Sequence, residues 1–232
     1  MIVRKSIIGV LICLCMSFTT LNVFAETTEE VPAGIESFDM AAFEQLVIEI
    51  EEGKINSDLE ADKRLEELKR LNKKNPNTDI QYSGSIANAL GKSAEMQACL
   101  NKIGSYKCGK ARINAQAAIN MATAYYSKDS LNNGKGDAFR HAYWNALMCK
   151  SIGCSNAKIV ADNHERYNMT EKKLHDMDYY NNQKGRDMYN WRVANGYSLL
   201  EQAMADNLRQ DIRNGLLKYI KQPEGWLLWT NQ

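Results

Sequence analysis

Gly136-Asp137-Ala138-Phe139-Arg140-His141-Ala142-Tyr143-Trp144-Asn145-Ala146-Leu147-Met148-Cys149-Lys150 is the stretch on which the fold turns. At 100° per residue, Phe139, Ala142, Tyr143, Ala146 and Leu147 share one apolar face, which predicts a helix over 137–150 packed on a core. The opposite stripe holds Asp137, His141, Trp144, Asn145 and Met148, with Arg140 at its edge. A solvent face would carry Lys and Glu there. Polar groups interleaved with a bulky aromatic and a thioether predict instead a helix covered on both sides, with a polar site built into its second face. Ionisable groups enclosed in this way need partners to offset their desolvation.

Working outward, residues 155–168 and 171–195 read as the next two helices. His164 shares a stripe with Ala157, Val160 and Ala161 and so faces inward, with Glu165 at the border of that stripe. Asp178, Asn182 and Arg186 recur at i, i+4 and i+8, which projects a carboxylate, an amide and a guanidinium from one face. Three helices joined by short connections pack as neighbours. His141, His164, Glu165 and Asp178 are then expected in one cluster around a pocket that reaches solvent, with Asp137, Arg140, Asn145, Asn182 and Arg186 about them.

Two imidazoles and two carboxylates suit one divalent metal ion, with His141, His164 and Asp178 as ligands and a water in an open position for hydrolysis. They equally suit metal-free acid and base chemistry, in which Glu165 or Asp178 orients a histidine and Arg140 or Arg186 holds an anionic oxygen. A third reading is two core histidines satisfied by Asp137 and Asp178. His175, beside Asp176, is expected on the surface, and three histidines in the whole chain are too few for a two- or three-metal site.

These residues also carry a resemblance. The run from Asp137 to Met148, then His164-Glu165, Met177-Asp178, Asn181-Asn182 and Gly185-Arg186, resembles an uncharacterised helical domain of bacterial secreted, wall-associated and polymorphic-toxin proteins. The likeness covers residues 136–186, about a quarter of the chain. It implies an exported bacterial protein whose shared polar residues match Asp137, Arg140, His141, His164, Glu165, Asp178, Asn182 and Arg186, and it implies no activity. A looser likeness is to metal-dependent phosphohydrolases with a His, His-Asp, Asp ligand order. Here the order is His141, His164-Glu165, Asp178; the doublet ends in Glu, and the last carboxylate follows 13 residues after Glu165, sooner than in that family. That likeness is analogy alone.

Over all 232 residues, 44% hydrophobic and 25% charged side chains exclude wholesale disorder, and three prolines with 14 glycines argue against a many-stranded fold. The expected class is all-α: a compact, bundle-like helical domain over 81–232, preceded by a charged helical hairpin. Residues 26–80 carry fifteen acidic against seven basic side chains, whereas residues 81–232 carry thirteen against twenty. Phe43, Leu46, Val47 and Ile50, then Leu59, Leu65, Leu68 and Leu71 beyond a break at 53–57, predict two amphipathic helices; Asn75-Pro76-Asn77 marks a linker. The opposed charge predicts that residues 81–222 fold without residues 26–80, which serve as a stalk or as an inhibitory segment covering the basic half. Alanine-rich helices are expected over 83–103 and 113–126, and a last helix over 198–220. Trp226 to Trp229 is expected to dock as a lid or edge.

Residues 1–25, with Arg4, Lys5, an apolar run from Ile7 to Phe18 and Val23-Phe24-Ala25, read as a secretory signal peptide cleaved after Ala25. No second apolar run of spanning length follows, so no transmembrane anchor is expected after processing. Cys99, Cys108, Cys149 and Cys154 then meet an oxidising space. Three pairings are open, and the chain-local one is favoured because it closes short loops around Gly104 and Gly153, where helices end.

Together these features predict a secreted or envelope-associated bacterial hydrolase. It would use one divalent metal ion or a His-carboxylate pair, on an anionic envelope, lipid or nucleic-acid phosphoester. The alternative is a non-catalytic secreted or wall-associated binding module whose polar cluster only braces the helices.

Overall fold

A computed structural model of the chain describes residues 38–74, 93–168 and 171–232. The expected signal peptide and the Asn75-Pro76-Asn77 break lie outside them. In chain order the elements are α1 (Met40–Glu51), α2 (Asp58–Lys74), α3 (Ser93–Ile103), α4 (Ser105–Tyr125), α5 (Lys135–Ile152), α6 (Cys154–Tyr167), α7 (Lys172–Ala194), α8 (Glu201–Arg213), β1 (Lys218–Lys221) and β2 (Trp226–Trp229). Among the described residues the fold is all-α apart from this one hairpin. No helix among the described residues is long and apolar enough to cross a membrane.

α5 is the central helix, packed against α4, α6, α7 and α8. Phe139, Ala142, Tyr143, Ala146 and Leu147 are buried as their shared face predicts. So are Asp137, His141, Trp144, Asn145 and Met148 on the other side, none of them more than 4% exposed. α7 approaches α5 most closely at Gly185, where an added Cβ would lie 1.9 Å from the backbone oxygen of Ala142. That contact of backbone on backbone brings Asn182 and Arg186, on the flanking turns, within reach of the polar face of α5.

Two helix corners are built alike. Gly104 (φ 85°) turns α3 into α4 and Gly153 (φ 82°) turns α5 into α6, in a left-handed conformation that glycine adopts without steric cost. Each corner is spanned by a disulfide, Cys99–Cys108 and Cys149–Cys154, the chain-local pairing. α4 therefore begins directly after Gly104, eight residues before the predicted start.

Two expectations need correction. The charge contrast between the two halves does not divide the core: Phe43, Leu46, Ala61 and Leu65 belong to the same buried cluster as the α4 and α5 residues, and Ser37–Gln232 form one compact unit. The opposed charges join the halves instead of separating them, through a buried Glu44–Arg112 pair at 2.9 Å and an Asp58–Lys107 pair at 2.6 Å. The last helix stops at Arg213, well short of residue 220, because Gly215 takes φ 75° and turns the chain. Lys218–Lys221 then pairs antiparallel with Trp226–Trp229, with Lys218 opposite Trp229. The Thr230 hydroxyl donates to the Ile212 carbonyl at 2.7 Å and ties this hairpin to the end of α8.

Candidate functional site

Asp137 and His141 stand one turn apart on α5, and α7 brings Asp178, Asn182 and Arg186 against them. His141 Nδ1 is 3.3 Å from Asn182 Oδ1, which also accepts from Asn145 Nδ2 at 2.7 Å. The Asn182 amide nitrogen donates to Glu165 Oε1 at 2.9 Å, which fixes its oxygen as the atom facing His141. Arg186 Nη1 donates to Asn145 Oδ1 at 2.5 Å and holds that amide in turn. An imidazole nitrogen facing an oxygen that only accepts must carry the proton, so Nδ1 is protonated and Nε2 presents its lone pair.

That lone pair, 3.0 Å from Arg140 Nη2, borders an unbalanced group. His141 Nε2 lies 3.4 Å from Asp178 Oδ1 and 3.6 Å from Asp137 Oδ1. Asp137 is well served: its Oδ1 accepts from Arg140 Nε at 3.0 Å and Nη2 at 2.5 Å, and its Oδ2 from the Asn133 amide at 2.8 Å. Asp178 Oδ1, by contrast, is a buried oxygen with no hydrogen-bond partner. One ligand atom each from Asp137, His141 and Asp178 lie within 4.8 Å of one another.

The electrostatics express the same imbalance. Burial, reinforced by Arg140, pushes the His141 pKa down to about 3, so the ring is neutral. Burial, then the nearby Glu165 and Asp137, push Asp178 up to about 9. Burial also raises Glu165. Burial works to raise Asp137 too, but Arg140 and the Asn133 N–H outweigh it and hold this carboxyl below its usual range. Two carboxylate oxygens and one imidazole nitrogen form a donor set for a divalent ion of the Zn²⁺ or Mn²⁺ type. The Nδ1–H to Asn182 contact is the outer hydrogen bond that orients a ligating histidine.

The sequence-derived residues are brought together with one exchange of places. His164 neighbours His141, with ring centroids 6.1 Å apart, but it is not part of the ligand group. Its Nδ1 lies 3.0 Å from Glu95 Oε1, its ring meets Trp144 edge-on, and the Asn168 amide donates to Glu95 Oε2 and to the His164 carbonyl. Asp137, which the sequence places around the site, stands in the position expected of His164. Glu165 lies 3.7 Å from His141 Nδ1 and is held by Asn182. Arg186 is buried and its guanidinium is engaged with Asn145 and Gln183. His175 is half-buried and stacks on Tyr179.

Glu95 was not legible as a site residue, since it lies on α3, 69 residues before His164. One signal was present: it is the only acidic side chain between Asp79 and Asp129. The site reaches the surface through Arg140, Asp178 and His164, whose side chains are 28%, 14% and 14% exposed.

Among known proteins, a family model described as a domain of unknown function, DUF6973, matches residues 100–216, half of the chain. The match takes in α4 to α8 with the whole Asp137, His141, Glu165, Asp178, Asn182 and Arg186 network, and leaves out Glu95. No curated protein and no solved structure matches the chain.

Proposed function

The chain belongs to the DUF6973 family, and we propose that it is a hydrolase of anionic phosphoesters in which Asp137, His141 and Asp178 hold one divalent metal ion. The observation that carries this reading is the unpartnered, buried Asp178 oxygen facing the lone pair of His141 Nε2 and the carboxylate of Asp137. A buried acceptor left unsatisfied is costly, and like-charged carboxylates held together raise that cost. A cation at this point would satisfy all three ligands at once. When bound, such an ion acts as a Lewis acid and lowers the pKa of a water into the neutral range.

The chain's own residues supply the rest. Glu95 Oε1 lies 3.0 Å from His164 Nδ1, and a proton on that nitrogen would leave Nε2 as the acceptor a general base needs. Asn182 and Asn145 lock the tautomer of His141. Arg140, with 28% of its side chain exposed, is the cation of the cluster that an anionic substrate oxygen would reach. The two disulfides and the leader-like residues 1–25 fit work outside the cytoplasm. The motif resembles that of secreted or wall-associated bacterial proteins, toxins among them, and the basic balance of residues 81–232 favours an anionic lipid, nucleic-acid or envelope phosphoester as the substrate class.

One observation favours the alternative of a non-catalytic module. The chain of bonds from Arg186 through Asn145 and Asn182 to Glu165 is fully satisfied and braces α5, α6 and α7 without any ligand. The two readings separate in a screen of mature protein, with added Mn²⁺ or Zn²⁺, on nitrophenyl phosphoesters, phospholipid vesicles and nucleic acid, with His141→Ala as control. The hydrolase reading expects turnover that falls on the order of a hundredfold or more in the variant. Equal turnover in both proteins, or none in either, overturns it.

A further inference from the structure

Arg140 stands where the proposed ion would bind. Its Nε and Nη2 both donate to Asp137 Oδ1, and Nη2 also lies 3.0 Å from His141 Nε2. The guanidinium thus occupies, with N–H donors, the lone pairs of two of the three ligands. A metal ion and this guanidinium cannot share them. Arg140 is also the member of the cluster with the most exposed side chain, so it has a path outward that Asp137 and His141 lack.

We infer that Arg140 is the resident cation of the metal-free site, and that a divalent ion displaces it into the solvent-facing mouth, where the freed guanidinium meets an anionic oxygen of the substrate. Metal loading and assembly of the anion-binding arm are then one event, and the metal-free protein keeps its arm turned in on Asp137. The inference rests on the cation reading above. It adds a competitor for the metal and an origin for the preference for anionic substrates.

The experiment is Mn²⁺ titration, followed by electron paramagnetic resonance of the free ion, on wild type and Arg140→Gln. In parallel, Arg140 labelling by phenylglyoxal is read by peptide mass with and without Mn²⁺. Circular dichroism shows that the variant is folded, and the labelling arm needs no variant. The expected result is Mn²⁺ binding at least threefold tighter in Arg140→Gln, and labelling of Arg140 that rises on loading wild type. Binding by the variant alone also supports displacement. If wild type binds and the variant binds equally or more weakly, or if labelling stays unchanged on loading, the displacement is overturned while the cation site stands. If neither protein binds Mn²⁺, both ideas fall.

Discussion

Two buried ionic assemblies, some distance apart in the chain, show opposite economies of charge. Where α1 meets α4, Arg112 and Glu44 form a one-to-one pair: Nε and Nη2 of the guanidinium both donate to one carboxylate oxygen, and the arginine is 1% exposed. Where α5 meets α6 and α7, three carboxylates surround a neutral His141, and among the described residues Arg140 is the one cationic side chain paired with any of them. The first assembly is matched in charge, one cation to one anion, although Arg112 Nη1 is left without a hydrogen-bond partner, and it holds a hairpin to the body of the protein. The second keeps one oxygen unsatisfied and one carboxyl far above its usual pKa. Burial is common to both, so burial alone does not mark a site. An excess of acceptors over donors does.

The largest effect is expected from breaking the matched pair. Glu44→Ala leaves Arg112 charged and buried without its partner, which costs about 3–5 kcal/mol. Denaturant unfolding should show that loss. A change under 1 kcal/mol would mean that α1 is not a structural part of this unit. Gly185→Ala strikes the other assembly, because the new methyl group would meet the Ala142 carbonyl and push α7 off α5. About 3 kcal/mol is expected from overpacking of this kind, together with loss of the His141–Asn182 contact, seen as altered histidine resonances.

A smaller effect of opposite sign distinguishes the assemblies by pH. In chelator, native Asp178 keeps its proton to about pH 9 against 3.8 in the unfolded chain, so the native state holds the extra proton and stability falls as pH rises through that window. His141, held at about 3 against 6.5, makes the unfolded state the greater proton binder below pH 6.5, which slopes stability the other way. The His141 slope opposes that of Asp178 between about pH 4 and 6.5, and above that the Asp178 slope is unopposed by His141, with the raised Glu165 acting in the same direction as Asp178. Asp178→Asn should therefore be more stable than wild type by about 1–2 kcal/mol at pH 8.5, with the gain shrinking toward pH 6. A variant that loses stability at pH 8.5 would show that the Asp178 charge is accommodated after all.

Much of this was legible before any coordinates. The two-faced pattern of residues 137–148 announced a central helix, and the four-residue steps from Asp178 to Arg186 announced its polar neighbour, since periodicity reports which face a side chain occupies. Periodicity does not report how a helix is rotated against a third one. His164 sits on the inward stripe of α6, yet that stripe turns it toward Glu95 on α3, and no local pattern in α6 encodes the approach of α3. Asp137 reads equally well as a structural partner of His141, one turn away on the same helix, and the sequence does not separate that role from a ligand's. The docking of α1 and α2 is illegible for a different reason: opposite net charge, which suggests separateness in a sequence, is also what attaches two surfaces. At the C-terminus, Leu216, Leu217 and Ile220 have helical spacing, and Gly215 overrides it.

The ligand set of the cation site is the central claim, and Mn²⁺ stoichiometry and affinity in four proteins test it most directly. Wild type should bind one ion per chain. Asp137→Asn and Asp178→Asn should each weaken binding by on the order of tenfold or more, as expected when a ligand is removed from a three-residue site. His164→Ala should bind within about threefold of wild type, because its ring is committed to Glu95 and Trp144. Wild type that binds no Mn²⁺, or a His164→Ala protein that loses the ion while Asp137→Asn retains it, would contradict the account.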